Sequence, residues 1–266
     1  MKISILTPSY NQGQFIDRCI QSILNQDHQD VEHIVIDGGS TDNTVDVLKK
    51  YKHLIWVSER DDGQADALNK GLKMASGDII GWINSDDYYE NNIFSDVVSH
   101  FENAETHWIL GNVTFCYPEQ GVEIAKKSPK ITFPRLLNDP DIVRQQGVFF
   151  KKSTLQTIGA WNKDMHMVMD YDLWIKLAKQ YTPKMVDKNY AYFLWHAEQK
   201  SSAKNTITQI REIDAIMRNN DAKIIDRIRH AYVKGIYLIK SFIKAALIKV
   251  GVIDKSYSNI PISIDK

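Results

Sequence analysis

Asn84, Ser85, Asp86 and Asp87 follow one another directly after a run containing Ile79, Ile80, Trp82 and Ile83. β-Branched and aromatic residues held between glycine and polar punctuation spell a short buried strand over residues 78–83. Two carboxylates at the end of such a strand are costly unless a cation or a hydrogen-bond network receives them. Asp86 suits a divalent ion that bridges the two phosphates of a diphosphate. Tyr10 offers a ring on which a base can stack, and Asp37 offers an acceptor for the proton-donating edge of that base.

These groups work together only if the fold brings them to one place. Polar segments at residues 7–13, 37–42, 59–63 and 84–87 each close a short apolar run. Residues 3–7, stopped by Pro8, read as a strand, and Phe15, Ile16, Cys19, Ile20, Ile23 and Leu24 then recur at helical spacing. Residues 31–36 and 55–57 repeat the strand pattern, and helices are expected from about Thr41 or Asp42 to Lys50 and over residues 64–75. Strands alternating with helices imply βαβ units and a parallel sheet, whose carboxyl-end loops share one rim where ligands bind. Taken singly, each loop also fits an ordinary β-to-α turn.

After Asp87 the rhythm changes. A helix is expected over 92–101, a strand over 108–115, a turn at 118–121, strands at 145–150 and 185–195, and an amphipathic helix over 170–181. This half reads as a mixed elaboration of the first sheet. From Asn205 onward the pattern is helical, and residues 220–250 carry seven Lys and Arg against Asp221 and Asp226, interleaved with a broad apolar stripe. Such a segment either packs on the domain with its lysines solvated or lies on an anionic membrane surface.

Composition sets the outer bounds. The 266 residues are 43% hydrophobic and 25% charged, as in an ordinary globular protein, and long enough for one large α/β domain with an appendage. Lys plus Arg balances Asp plus Glu at 33 each, which gives no global charge for binding nucleic acid. Cys19 and Cys116 lie far apart with no metal-type spacing, and the opening residues lack a signal-peptide core. A cytoplasmic chain with reduced thiols is expected.

The motifs resemble those of the family-2 glycosyltransferases of GT-A fold, over roughly residues 1–202. The resemblance rests on residues 7–11, 37–42, 63–71 (Gly63, Gln64, Ala65, Asp66, Ala67, Leu68, Asn69, Lys70, Gly71), 84–87 and 169–174. It implies an α/β fold with a Rossmann-like, mostly parallel central sheet flanked by helices. Residues 1–204 would form the GT-A domain, with a nucleotide-binding half at 1–100 and an acceptor half at 101–204, and residues 205–266 a C-terminal helical extension. The implied activity moves a sugar from a nucleotide donor, a UDP-sugar, to a hydroxyl of a glycan or lipid-linked acceptor, with inversion and with Mn2+ or Mg2+.

Residue by residue, Pro8, Tyr10 and Asp37 match the family's base pocket, and Thr7, Asp62, Gln64, Asn69 and Ser85 extend the donor site. Asn84, Ser85 and Asp86 stand where the family has Asp-x-Asp, so Asp86 becomes the direct metal ligand and Asn84 an amide that can bond a ribose hydroxyl. Gln64 stands where some relatives have a lysine. Asp170 matches the catalytic base, with Met169 in place of the acidic residue often found before it and Asp172 as a supporting residue. His196 opens the family's loop after the last core strand, where it would complete the metal shell or touch the diphosphate. Gln145, Gln146, Gly147, Trp161 and Asn162 resemble the acceptor side.

Each of these has a plainer explanation. Asp170 also fits helix capping, His196 a satisfied structural histidine and Trp161 a core aromatic. One base without a second carboxylate acting as nucleophile is the inverting pattern. A dinucleotide oxidoreductase needs Gly-x-Gly-x-x-Gly, but residues 7–13 hold one glycine, and no Gly-Lys-Ser/Thr loop exists for a P-loop enzyme. The remaining alternatives are a sugar-nucleotide-binding protein without turnover, suggested by Asn84 and Met169, and a membrane-associated scaffold resting on residues 220–250.

Overall fold

Alternation along the first strand already assigns the two faces of the sheet. In the computed structural model, which describes residues 1–196 and 205–249, Ile3 and Ile5 of β1 (Ile3–Ser9) enter one apolar cluster and Leu6 the other. β4 (Ile79–Trp82) repeats the split, with Ile79 on the first side and Ile80 and Trp82 on the second. Both strands are buried on both faces, as parallel strands covered by helices must be.

β1 is flanked in parallel by β2 (Val31–Asp37) and β4, and β2 by β3 (Ile55–Ser58). The connecting helices are α1 (Ile16–Leu24), α2 (Thr44–Leu48) and α3 (Gln64–Met74). The N-cap of α2 falls on Asn43, one residue past the expected Asp42 and without a side-chain cap bond, while Asp42 accepts from the Thr44 backbone N–H at 2.9 Å. Gly63, with φ of 103°, opens α3 in a conformation that favours glycine.

The later strands extend the same sheet in mixed directions. They are β5 (Tyr88–Tyr89), β6 (Trp108–Tyr117), β7 (Val122–Lys126), β8 (Val148–Lys151) and β9 (Lys184–Leu194), and the nine strands run in the order β3-β2-β1-β4-β8-β6-β9-β5, with β7 beside β6. β6 is the spine of this extension: β8 and then β7 pair along one edge, both antiparallel, and β9 pairs parallel along the other. The register of β6 against β9 shifts around Gly111, where a Cβ would lie 2.2 Å from the Tyr190 ring. Glycine there lets the tyrosine lie against the strand.

One face carries α1 and α4 (Phe94–Phe101), while the other carries α3, α5 (Phe133–Asn138), α6 (Lys152–Ile158), α7 (Met169–Gln180) and α8 (Thr206–Asn219). Trp174 of α7 stacks on Trp108 at 6.0 Å and on Phe150 at 5.8 Å, anchoring the helix that bears Asp170. Truncating such a buried aromatic costs about 3–5 kcal/mol. α9 (Ile224–Lys249) docks by Arg227 on Asp214 at 2.7 Å and by Lys234 on Asp141 at 2.7 Å. Ile225, Ile228, Tyr232, Ile239 and Ile243 lie on its opposite, exposed side.

Among the boundaries that differ from the sequence expectation, two have a visible local cause. Residues 145–147 form a 3-10 turn and the strand begins at Val148, because Gln145 and Gln146 turn inward to bond the Trp82 carbonyl and Asp87. The helix expected from residue 92 begins at Phe94, since Asn92 takes a left-handed φ of 55°.

Candidate active site

The carboxyl ends of β1 and β4, the loop from β3 into α3 and the first turn of α7 surround a cavity of about 540 Å³. Pro8, Tyr10, Gln64, Asn84, Asp86, Asp87 and Asp170 all line it. Tyr10 is 60% exposed, its ring unobstructed for stacking. Ser85 is buried and its hydroxyl donates to the Pro8 carbonyl at 3.3 Å, tying the β4 loop to the β1 loop.

Asn84 is held from three sides. Its Oδ1 accepts from Gln64 Nε2 at 2.7 Å and from Trp82 Nε1 at 3.1 Å, while its Nδ2 donates to Gln145 Oε1 at 3.3 Å. An aspartate here could not make the donation, so the amide is matched to its neighbours and is more than a neutral replacement for a carboxylate. The shared edge Gln64-Asn84-Gln145 joins α3, β4 and the turn before β8.

The adjacent carboxylates have different partners. Asp87 is buried and accepts from Gln146 Nε2 at 2.9 Å and from the Leu194 backbone N–H at 3.0 Å. Burial, reinforced by the charge of Asp86, pushes its pKa well above the ordinary carboxylate range. Asp86 Oδ2 instead meets His196 Nε2 at 2.9 Å, and the imidazole ring packs 4.4 Å from Phe15. Among the described residues no group of three or more His, Cys, Asp or Glu side chains gathers as a metal-binding cluster. Asp86 and His196 nevertheless fit a divalent ion as a two-donor, oxygen and nitrogen set, which leaves coordination positions for phosphate oxygens.

Asp170 stands in the first turn of α7, half-buried, and accepts from the Tyr171 backbone N–H at 2.8 Å. The N-cap position belongs to Val168, so Asp170 does not cap the helix through that position. Asp172 turns aside to Lys176 at 2.7 Å. Met167 and Met169 add apolar lining near Asp170.

Several expected ligand residues lie outside the lining. Thr7 is buried inside β1, with its hydroxyl hydrogen-bonded to His33 Nε2 at 2.9 Å. Asp37 is fully buried, accepting from the Ser40 backbone N–H at 2.9 Å and from Ser58 Oγ at 2.6 Å, and it braces the rim from behind. Asp62 is exposed, and the neighbouring Asp61 takes its place on the wall, where burial raises its pKa. Asn69 donates to the Trp161 carbonyl at 2.7 Å and accepts from the Trp161 backbone N–H at 3.3 Å. Trp161 itself is buried against Trp82 at 5.7 Å, which makes it core and not a sugar platform. The loop expected to follow His196 lies outside the described residues.

Asp61 and Phe193 are cavity residues that motif reasoning passed over. Period-two alternation would have found Phe193, because it projects to the same face as Trp195. For Asp61, the signal is spatial: a Cβ at Gly38 would lie 2.9 Å from the Asp61 carboxylate, so that glycine makes room for it.

The fold matches solved structures. Staphylococcus aureus TarS in complex with UDP-GlcNAc aligns with a TM-score of 0.61 at 20% identity, over 85% of this chain and 69% of that one. The Pyrobaculum calidifontis mannosyltransferase PcManGT, in complex with GDP-Man and Mn2+, aligns at 0.59 and 17% identity, over 89% and 69%. In sequence, a chondroitin synthase of Pasteurella multocida is 28% identical over 211 residues, 78% of this chain but 22% of its own length. An uncharacterized glycosyltransferase of Nostoc is 30% identical over 115 residues, 41% of this chain and 36% of its own length. The chain thus spans well under half the length of these two relatives. The signature of the family described as "Glycosyl transferase family 2" matches residues 4–156, more than half of the sequence, and the chain belongs to that family.

Proposed function

We propose that this chain is an inverting transferase that moves a sugar from a UDP-sugar to a hydroxyl of a glycan or glycolipid. The observation that carries this reading is the single cavity shared by Tyr10, Asp86 and Asp170, three residues far apart in sequence whose chemistries fit a base, a diphosphate and an acceptor hydroxyl. That TarS and PcManGT were solved with nucleotide sugars supports the donor class.

In this reading Tyr10 stacks on the base and Gln64 and Asn84 offer amides to the ribose and phosphates. Asp170 accepts the proton of the acceptor hydroxyl as its oxygen bonds to the anomeric carbon, and the bond from that carbon to the diphosphate breaks on the opposite face. Mn2+ or Mg2+ held by Asp86 and His196 would stabilise the charge left on the diphosphate. Asp87, by accepting from Leu194, keeps the end of β9 and hence His196 against Asp86. Residues 1–100 serve the nucleotide and residues 101–204 the acceptor, with residues 205–266 as an extension.

Among the described residues no helix is long and apolar enough to cross a membrane. The exposed isoleucine stripe of α9, flanked by Arg229 and Lys240, supports peripheral contact of a cytoplasmic enzyme with the inner face of a membrane. Co-sedimentation with anionic vesicles should fall when the chain is ended near Asn219.

Donor hydrolysis and transfer, measured with manganese and a panel of sugar nucleotides, test the reaction. Asp170→Asn should lower transfer by about 10²-fold or more while nucleotide affinity stays near wild type. Wild-type turnover in that variant would remove Asp170 as the base. Nucleotide binding without any turnover in the unsubstituted chain would favour a binding protein.

A further inference from the structure

The sheet extension carries an aromatic tile that no step above uses. Phe115 and Tyr117 alternate along β6, Phe193 and Trp195 alternate at the end of β9, and parallel pairing sets Phe115 beside Phe193. The Trp195 backbone N–H continues that pairing by donating to the Cys116 carbonyl at 2.8 Å. Ring centroids lie 4.9 Å apart for Phe115 and Phe193, and 6.1 Å apart both for Phe193 and Trp195 and for Tyr117 and Trp195. On the far side, β7 sets Ile124 opposite Phe115 and Val122 opposite Tyr117, 40% and 44% exposed. Two rows of three apolar side chains therefore cover one face, and all four rings remain half-exposed.

Three observations say what lies on it. The tile is continuous with the cavity, because Phe193 belongs to both, so an occupant can extend into the cavity that Asp170 also lines. Its inner members are rings, whose negative faces attract the weakly positive C–H bonds on one face of a sugar, whereas the exposed stripe of α9 is built mainly of isoleucine. Arg144 stands over Phe115 at 5.6 Å, supplying N–H donors at the border for hydroxyl or carboxylate oxygens. With strands about 4.8 Å apart, the face has room for about two sugar rings side by side.

We infer that this tile holds the acceptor, and that the acceptor is an oligosaccharide whose sugar units behind the reacting end stack on Phe115, Tyr117 and Trp195. The inference rests on the transferase reading and narrows its acceptor to a chain of sugars. Recognition then grows with acceptor length until the tile is covered.

An oligosaccharide array graded from mono- to hexasaccharides, probed with the full chain in the presence of UDP, tests this. Wild-type binding should strengthen with length, and Trp195→Ala and Phe115→Ala should each weaken it by about fivefold to tenfold. Trp195→Phe should recover most of the loss. UDP affinity and donor hydrolysis should stay unchanged in all three variants. Length-independent binding, absence of binding to the array, or alanine variants that bind like wild type would each overturn the inference. So would alanine variants that lose binding to anionic vesicles while keeping oligosaccharides. Donor hydrolysis is read separately, so its absence would sink the transferase reading while the array still judges the tile.

Discussion

The rim of the parallel strands and the tile of the sheet extension lie side by side but are built in opposite ways. At the rim, polar groups are paired inside the protein: Asn84 with Gln64, Trp82 and Gln145, Asp87 with Gln146 and Leu194, Asp37 with Ser40 and Ser58. At the tile, rings lie half-exposed on strands whose outermost member, β7, is exposed along its whole length. A rim so prepared holds its geometry before a ligand arrives, which is what positioned chemistry needs. A bare apolar face contributes affinity and little geometry. Substitutions at the rim should therefore alter turnover and stability, and substitutions at the tile the apparent affinity for acceptor.

The widest separation should come from Asp86→Ala. It removes one of two candidate metal donors, and the dependence of UDP binding on manganese, followed by calorimetry, should largely vanish. Retention of metal-dependent binding would move the ion elsewhere. Next, Asn84→Asp should destabilise the fold by about 1–3 kcal/mol in urea unfolding, because the donation to Gln145 is lost and a third carboxyl group is placed beside Asp86 and Asp87. Unchanged stability would show that the rim is less tightly prepared than the geometry indicates.

A titration sharpens the contrast further. His33, buried behind Thr7, has its pKa pushed down to about 3 by burial, against an ordinary value of 6.5. In the unfolded chain it takes up a proton as pH falls through 6.5, while in the fold it stays neutral until about 3. Stability should therefore fall as pH drops across that window, by at most about 1.4 kcal/mol per pH unit from this group. His33→Gln should flatten the slope between pH 6.5 and 5, and an unchanged slope would remove His33 as a source. The smallest effect belongs to Asn69→Ala. The loss of two bonds to Trp161 should lower stability by about 1–2 kcal/mol and leave UDP affinity intact. A marked loss of UDP affinity would restore Asn69 to the donor site.

How much of this was legible depended on the kind of signal. The four parallel strands and their helices could be read because strongly apolar runs alternate with polar loops at regular spacing. β5, α5 and α6 were not, because these short elements of two, six and seven residues stand outside that regular alternation. Motif order singled out Pro8, Tyr10, Gln64, Asn84, Asp86 and Asp170, which all line the cavity. It also singled out Thr7, Asp37, Asp62 and Asn69, since a motif marks a loop without saying which side chains turn toward the cavity. Thr7 points to the side opposite Pro8, and Asp37 is turned back by Ser40 and Ser58. The meeting of Asp86 with His196 spans 110 residues; no local pattern encodes it, and the family resemblance alone pointed to the pair.

That long span bears on how the protein is made. β9 is the last strand among the described residues yet lies between β6 and β5, and β5 has β9 as its strand neighbour. On the ribosome, a chain that ends before Lys184 can pair β1 to β4 with β8 and β6, but it leaves Tyr88 and Tyr89 without a ladder and Asp87 without the Leu194 N–H. The segment that holds Asp86 and Asp87 therefore gains these partners only once β9 has been synthesised. A nascent chain whose core assembles before β9 emerges has an unfinished site and an open edge on β6, which exposes it to mispairing.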